Sequence, residues 1–335
     1  SPRKVDMTGI YQQLAWHLDA QPAGYPSTAS GVEVRILEHL FTPAEAEIAT
    51  HLTLINEEPR VVAFRARKPV EEVSALLASM SGKGLIDCSY TDEERPLYAI
   101  SHFVVGFYED QVNHLDLPLV ELFEEYAPTY FEKSPWKKVP QLRTIPVMET
   151  IPITSEVMPY EHVEKIIRSK NEFAVRNCVC RQEQQLLDKG CDAPMETCMQ
   201  FDGAARTTAA SGKGRMITQD EALEIIHKAQ KTGLVLQLAN SKNPMFLCMC
   251  CSCCCGVLRG IRNSPNPGNL VVNPFITQHH PEVCTNCGAC VKICPMGALV
   301  KTDGIISFNQ ARCIGCGLCV SVCDFGAVEL VRRPE

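Results

Sequence analysis

The chain has 335 residues, 45% of them apolar, with 32 Lys and Arg against 39 Asp and Glu and a net charge of −7. That length suits two or three domains, and that apolar share builds real cores, which excludes a disordered scaffold. No apolar run reaches the roughly 18 residues of a membrane span, and no apolar stretch of a secretory signal follows Ser1-Pro2-Arg3-Lys4, so a cytoplasmic chain with no membrane span is expected. Under those conditions 19 cysteines point to metal ligands rather than disulfides. So many oxidisable thiolates suit a cell with little oxygen.

Residues 1–133 hold 10 Lys and Arg against 21 Asp and Glu, a balance of −11, whereas 134–335 carry +4. A short helix is predicted over 7–17, and Pro22, Gly24 and Pro26 break it. Val32, Ile36, Leu37, Leu40 and Phe41 recur at helical spacing. Thr42-Pro43-Ala44-Glu45 reads as a capping box opening a helix to about Leu52, and Val61–Arg67 as another helix. Val70, Val73, Leu76, Leu77 and Met80 form one helical face that Gly82 and Gly84 end. Leu85–Tyr90 and Leu97–Ile100 read as paired strands across a turn, with Cys88 a half-buried strand residue. Helices followed by a two-stranded wing resemble the winged-helix domain. The helix in the recognition position has Glu71 and Glu72 and no basic residue, which argues against DNA and for a docking module or a scaffold. Residues 102–132 continue as one or two amphipathic helices.

Pro135, Pro140, Pro146 and Pro152 mark a linker-like crossing over 134–155, and a helix near Tyr160–Arg168 follows. Alternation through Ala174–Arg181 is expected to deliver Cys178 and Cys180 to one side of a strand. Cys191 and Cys198 bring four thiols within about twenty residues, enough to close round one metal. Residues 204–216, small and polar, read as a loop, and Ser211-Gly212-Lys213-Gly214 lacks the spacing of a phosphate loop. Thr218-Gln219-Asp220-Glu221 reads as a second capping box, on a helix whose core face is Ala222, Ile225, Ile226 and Ala229. Leu234–Leu238 is a strand. Then Cys248, Cys250, Cys251, Cys253, Cys254 and Cys255 put six thiols in eight residues, more than packing needs, and neighbours on a strand face opposite ways. With the earlier four they allow two further cubanes, one larger or non-cubane cluster, or one cluster with free thiols. The Cys-x-Cys-Arg element with this run resembles an iron–sulfur region of redox proteins from anaerobes. Cys254-Cys255-Gly256 resembles the Cys-Cys-Gly motif of heterodisulfide-reductase subunits, without its long flanking spacings. Arg176 and Arg181, if beside a cluster, would raise its potential; a surface role is the alternative. His279-His280 reads as a solvated hinge, with the approach of one of them to a cluster as the alternative.

The tail reads Cys284-x-x-Cys287-x-x-Cys290-x-x-x-Cys294-Pro295 and, 29 residues on, Cys313-x-x-Cys316-x-x-Cys319-x-x-x-Cys323. Gly288 maps to Gly317, and Gly297-Ala298 to Gly326-Ala327, the mark of a duplicated unit. Zinc also takes four thiolates, but the 2-2-3 spacing made twice is an iron–sulfur signature. Residues 281–331 resemble bacterial two-cluster [4Fe-4S] ferredoxins, with Asp324 where the first half has Pro295. The resemblance implies Cys284, Cys287, Cys290 and Cys323 on one cluster and Cys313, Cys316, Cys319 and Cys294 on the other.

The expected fold class is α+β: a winged-helix-like acidic domain (1–133), a Cys-rich iron–sulfur domain (134–280) and a two-cluster ferredoxin-like domain (281–335). Two [4Fe-4S] clusters are expected in the tail and one or two more in the middle. No dinucleotide fingerprint, phosphate loop, metalloprotease motif or nucleophile elbow is found, so neither a flavin nor a nucleotide site is expected. The function read from this is single-electron relay to or from a partner oxidoreductase subunit, as a peripheral member of a larger complex. The rivals are a redox enzyme subunit whose special middle cluster acts on a small thiol or disulfide, an iron–sulfur transcription regulator, and a cluster-assembly carrier.

Overall fold

The computed structural model describes residues 9–91, 94–135, 140–147 and 162–333. It comprises two compact units, residues 1–139 with 186–188, and residues 140–185 with 189–335. The fold class is α+β, as expected.

In the first unit, α1 (Ile10–Asp19), α2 (Val32–Leu40), α3 (Pro43–Ala49), α4 (Pro59–Ala66) and α5 (Val70–Gly82) precede an antiparallel hairpin of β1 (Ile86–Tyr90) and β2 (Pro96–Ile100). The last helix, α6 (Leu117–Lys133), starts where the Asp116 side chain accepts from the Leu119 amide. Its stripe of Val120, Phe123, Tyr126 and Tyr130 is buried, with Phe123, Tyr126 and Tyr130 against Phe103 and Tyr126 also against Tyr25. Tyr126 and Tyr130 donate their hydroxyls to the Pro26 and Val104 carbonyls, so neither buried phenol is left unpaired. The helices expected over 102–132 form only in the second half. Val104 and Gly106 have extended backbones that interrupt the earlier turn, although Phe103 and Phe107 still fill the core.

The capping box at Thr42 forms as expected. Glu45 takes on more than a cap: its carboxylate is 2% exposed and accepts from Lys83 Nζ at 2.8 Å, Ser79 Oγ at 2.8 Å and the Thr42 amide at 2.9 Å. Burial by itself would raise its pKa, but Lys83, the Thr42 amide and Ser79 outweigh that and hold it below the ordinary value of 4.5. A lowered folded pKa stabilises above the unfolded value and loses that contribution as pH falls through the folded value. Glu45→Gln should therefore cost about 2–4 kcal/mol at pH 7. Urea denaturation should show the gap from wild type closing below pH 4.5.

The second unit is built on a six-stranded antiparallel sheet in the order β3-β7-β8-β5-β4-β6. In chain order these elements are β3 (Leu142–Ile145), α7 (Val163–Arg168), β4 (Phe173–Asn177), α8 (Val179–Leu186), β5 (Glu196–Phe201), α9 (Gly203–Ala210), β6 (Gly214–Ile217), α10 (Gln219–Lys231), β7 (Val235–Ala239), β8 (Phe246–Cys250) and α11 (Gly256–Arg262). One sheet face carries Phe173, Met199, Phe201, Leu236, Leu238, Leu247 and Met249 into a core with α7 and α10. The linker-like crossing is thus partly a strand, β3, which pairs with β7; residues 148–155 and Tyr160 lie outside the described residues. The expected loop over 204–216 contains α9 and the start of β6. At Thr218 only half a capping box forms: its hydroxyl accepts from the Glu221 amide, while Glu221 pairs with Arg215 at 2.7 Å.

The chain then runs through β9 (Phe275–His279), α12 (Ala289–Ile293), β10 (Leu299–Thr302), β11 (Ile305–Phe308) and β12 (Val328–Arg332). β9 pairs with β12, and β10 with β11. Asp303 and Gly304 turn that second hairpin with φ of 52° and 83°, the left-handed pair a two-residue turn requires. His279 is no hinge: it stands in β9 opposite Val328, and His280 Nε2 meets Glu329 at 3.0 Å.

Candidate functional site

The tail repeats in backbone as well as in spacing. Gly288 and Gly317 have φ of 86° and 77°, and Gly297 and Gly326 have 62° and 63°. Left-handed backbone at the same steps folds both loops alike, so each points its three cysteines inward. One cavity, about 320 Å³ of atom-free space, is lined by Cys313, Cys316 and Cys319 together with Cys294. A second, about 290 Å³, is lined by Cys284, Cys287, Cys290 and Cys323. Each cavity thus takes three sulfurs from one half of the repeat and the fourth from the other.

The two differ in surroundings. Cys313, Cys316 and Cys319 are all buried, and burial pushes Cys316 well up and Cys319 up to about 12. Thiols held so high lose their protons to a cation that replaces them, which fits a metal group. Thr277 Oγ1 lies 3.3 Å from Cys319 Sγ, and the Gly315 and Ala298 amides donate to Cys313 Sγ at 3.4 Å and Cys294 Sγ at 3.2 Å. Asn273 Nδ2 donates to the Ile314 and Gly315 carbonyls and Arg333 to the Cys313 carbonyl, fixing the loop to β9. A Cβ at Gly315 would run into the Phe275 carbonyl, so only glycine fits there. At the other cavity Cys287 and Phe325 are exposed and Cys284 and Cys323 half-buried. Sequence reasoning passed over Thr277 and Asn273; they lie outside the repeat, Thr277 in β9 and Asn273 just before it, and reach its second half from there.

In the middle, the sheet aligns side chains in a row. Arg176 stands opposite Cys198, Cys198 opposite Cys248, Cys248 opposite Gln237 and Gln237 opposite Thr144. Directly opposed residues share a face, and Cys250, two on from Cys248, joins them. Arg176 Nε and Gln200 Nε2 donate to Cys198 Sγ at 3.4 Å and 3.3 Å. The Cys248 hydrogen bond, against the cost of burial and helped by Arg176, holds Cys198 at about 5. Cys178 and Cys180 arrive differently from the expectation: β4 ends at Asn177 and α8 begins at Val179, so a turn rather than strand alternation brings them close. Sulfur then follows sulfur from Cys198 through Cys248, Cys250, Cys255 and Cys180 to Cys178. The other four middle cysteines form a tighter group. Cys191, Cys251, Cys253 and Cys254 have all their sulfurs within 4.8 Å of one another.

Neither Arg176 nor Arg181 is a surface group. Arg181 is 0% exposed and donates to the Pro194 carbonyl at 2.9 Å, the Met249 carbonyl at 3.0 Å and Thr197 Oγ1. Burial by itself would lower its pKa; the Cys178, Cys251 and Cys250 sulfurs outweigh that and raise it above the ordinary value. Its Nε is buried with no hydrogen-bond partner.

A family model described as a 4Fe-4S dicluster domain matches residues 276–324. No curated protein and no solved structure matches the chain. The C-terminal part is a ferredoxin-like iron–sulfur region, and among the described residues no helix is long and apolar enough to cross a membrane.

Proposed function

We propose that this chain relays single electrons through [4Fe-4S] clusters in its tail and a further iron–sulfur centre in its middle, to or from a partner oxidoreductase subunit. The observation that carries the reading is the pair of four-sulfur cavities in the tail. Clusters held there would supply one-electron redox chemistry at potentials set by charge, hydrogen bonding and exposure. The residues set those levers unequally. Amide and hydroxyl groups crowd the sulfurs of the inner cavity, while the outer one meets solvent at Cys287 and Phe325. That outer edge is where a partner approaches closely enough for electron exchange.

In the middle, Cys178, Cys180, Cys198, Cys248, Cys250 and Cys255 hold the further centre, with Arg176 and Arg181 beside them. Four of the six suffice for a cubane. Residues 1–133 serve as a winged-helix-like docking module, since α5 carries no basic residue for phosphates and the segment is strongly acidic. Labour divides by segment in this reading: docking in 1–133, the further centre in 134–280 and the two tail clusters in 281–335.

Iron and sulfide analysis of protein purified without air tests this. About twelve irons per chain are expected if the middle centre is a cubane, and about eight would leave the middle without a cluster. Joint substitution Cys178→Ser and Cys180→Ser should lower iron while the ferredoxin-type spectrum persists. Colourless protein would end the electron-transfer reading.

A further inference from the structure

We propose that Cys191, Cys251, Cys253 and Cys254 form a closed tetrahedral site for a single zinc ion, separate from the iron–sulfur centres. The argument is one of distances. Cys191 Sγ lies 3.6 Å from Cys254 Sγ and 3.8 Å from Cys251 Sγ, and Cys253 Sγ lies 3.8 Å from Cys254 Sγ. Four thiolates at about 2.3 Å from one zinc stand at the corners of a tetrahedron whose edge is about 3.8 Å. A cubane cannot accept that spacing, because each thiolate binds a different iron and the iron–iron edges push the sulfurs apart.

The same protein supplies the comparison. Among the described residues this is the one group of three or more Cys, His, Asp or Glu ligand atoms so tightly gathered. The tail quartets, by contrast, surround cavities of about 320 and 290 Å³. The six remaining middle sulfurs make a string rather than a knot. Two kinds of thiol site thus coexist, one opened for a cluster and one closed to the size of an ion.

The chain makes the quartet from two places. Cys251, Cys253 and Cys254 lie on the turn between β8 and α11, and Cys191 on the segment between α8 and β5. An ion joining them ties two irregular segments some sixty residues apart. The same turn carries Cys250 at one end and Cys255 at the other, both in the six-sulfur string. The ion would therefore hold the neighbouring centre's ligands in place without exchanging electrons, since zinc has no redox chemistry. Four thiolates also suit a single iron. Cys253 is exposed, and a redox-inert ion is the one that persists unchanged at the surface.

The test uses the full chain, purified without air and without added metal. Elemental analysis should give one zinc per chain, and zinc-edge X-ray absorption should give four sulfurs at about 2.3 Å. Cys253→Ser should lose most of the zinc and keep the iron. Absence of stoichiometric zinc, a single iron in its place, or loss of about four irons in Cys253→Ser would each overturn the proposal. Should that variant fail to fold, the absorption spectrum of the unaltered chain decides alone.

Discussion

Replacing Cys323 by Ala should remove one cluster, about four irons per chain, although Cys323 lies in the second half of the repeat and the other sulfurs of its cavity in the first. The crossing makes a sharp prediction for pairs of substitutions. Cys284→Ala with Cys323→Ala should lose no more iron than either alone, because both sulfurs line one cavity. Cys284→Ala with Cys294→Ala should lose about eight irons, because Cys294 lines the other cavity. If each half of the repeat instead closed on its own cluster, the two outcomes would exchange. Iron analysis of the four single and double variants separates the alternatives, and the outer cavity, with Cys287 exposed, should lose its cluster to air first.

The tail was legible because its information is local. Ligand spacing, the 29-residue period and the left-handed steps at Gly288, Gly297, Gly317 and Gly326 all lie within one short loop and its copy. The capping box at Thr42 and the hairpin of β1 and β2 were legible for the same reason. The middle was not. Periodicity through Ala174–Arg181 suggests a strand throughout, but the backbone turns at Cys178 into α8, and a run of eight alternating residues cannot show where a strand stops. The small residues of 204–216 suggest a loop, yet Ala204, Ala205, Ala209 and Ala210 are strong helix formers, and that signal marks α9. The division of ten thiols into six and four was beyond the sequence. It depends on β5 pairing with β8, and on Cys191 meeting residues sixty positions away, neither of which leaves a local mark.

Arg181→Met should lower the stability of the second unit by about 3–5 kcal/mol and lower the reduction potential of the middle centre. The stability loss follows from burial. The side chain is wholly enclosed, and its removal leaves the Pro194 and Met249 carbonyls and the Thr197 hydroxyl without their donor. The potential follows from charge: a guanidinium beside the Cys178 and Cys250 sulfurs favours the more negative, reduced state of the centre they help to hold. Arg181→Lys separates the two effects. An ammonium keeps the charge but cannot reach three acceptors with one planar fork, so stability should fall while the potential stays near that of the wild type. Anaerobic redox titration and chemical denaturation of both variants provide the check. A potential unmoved in Arg181→Met, with the denaturation midpoint lowered as expected, would make Arg181 a structural strut and leave Arg176, 3.4 Å from Cys198, as the charge that tunes the centre.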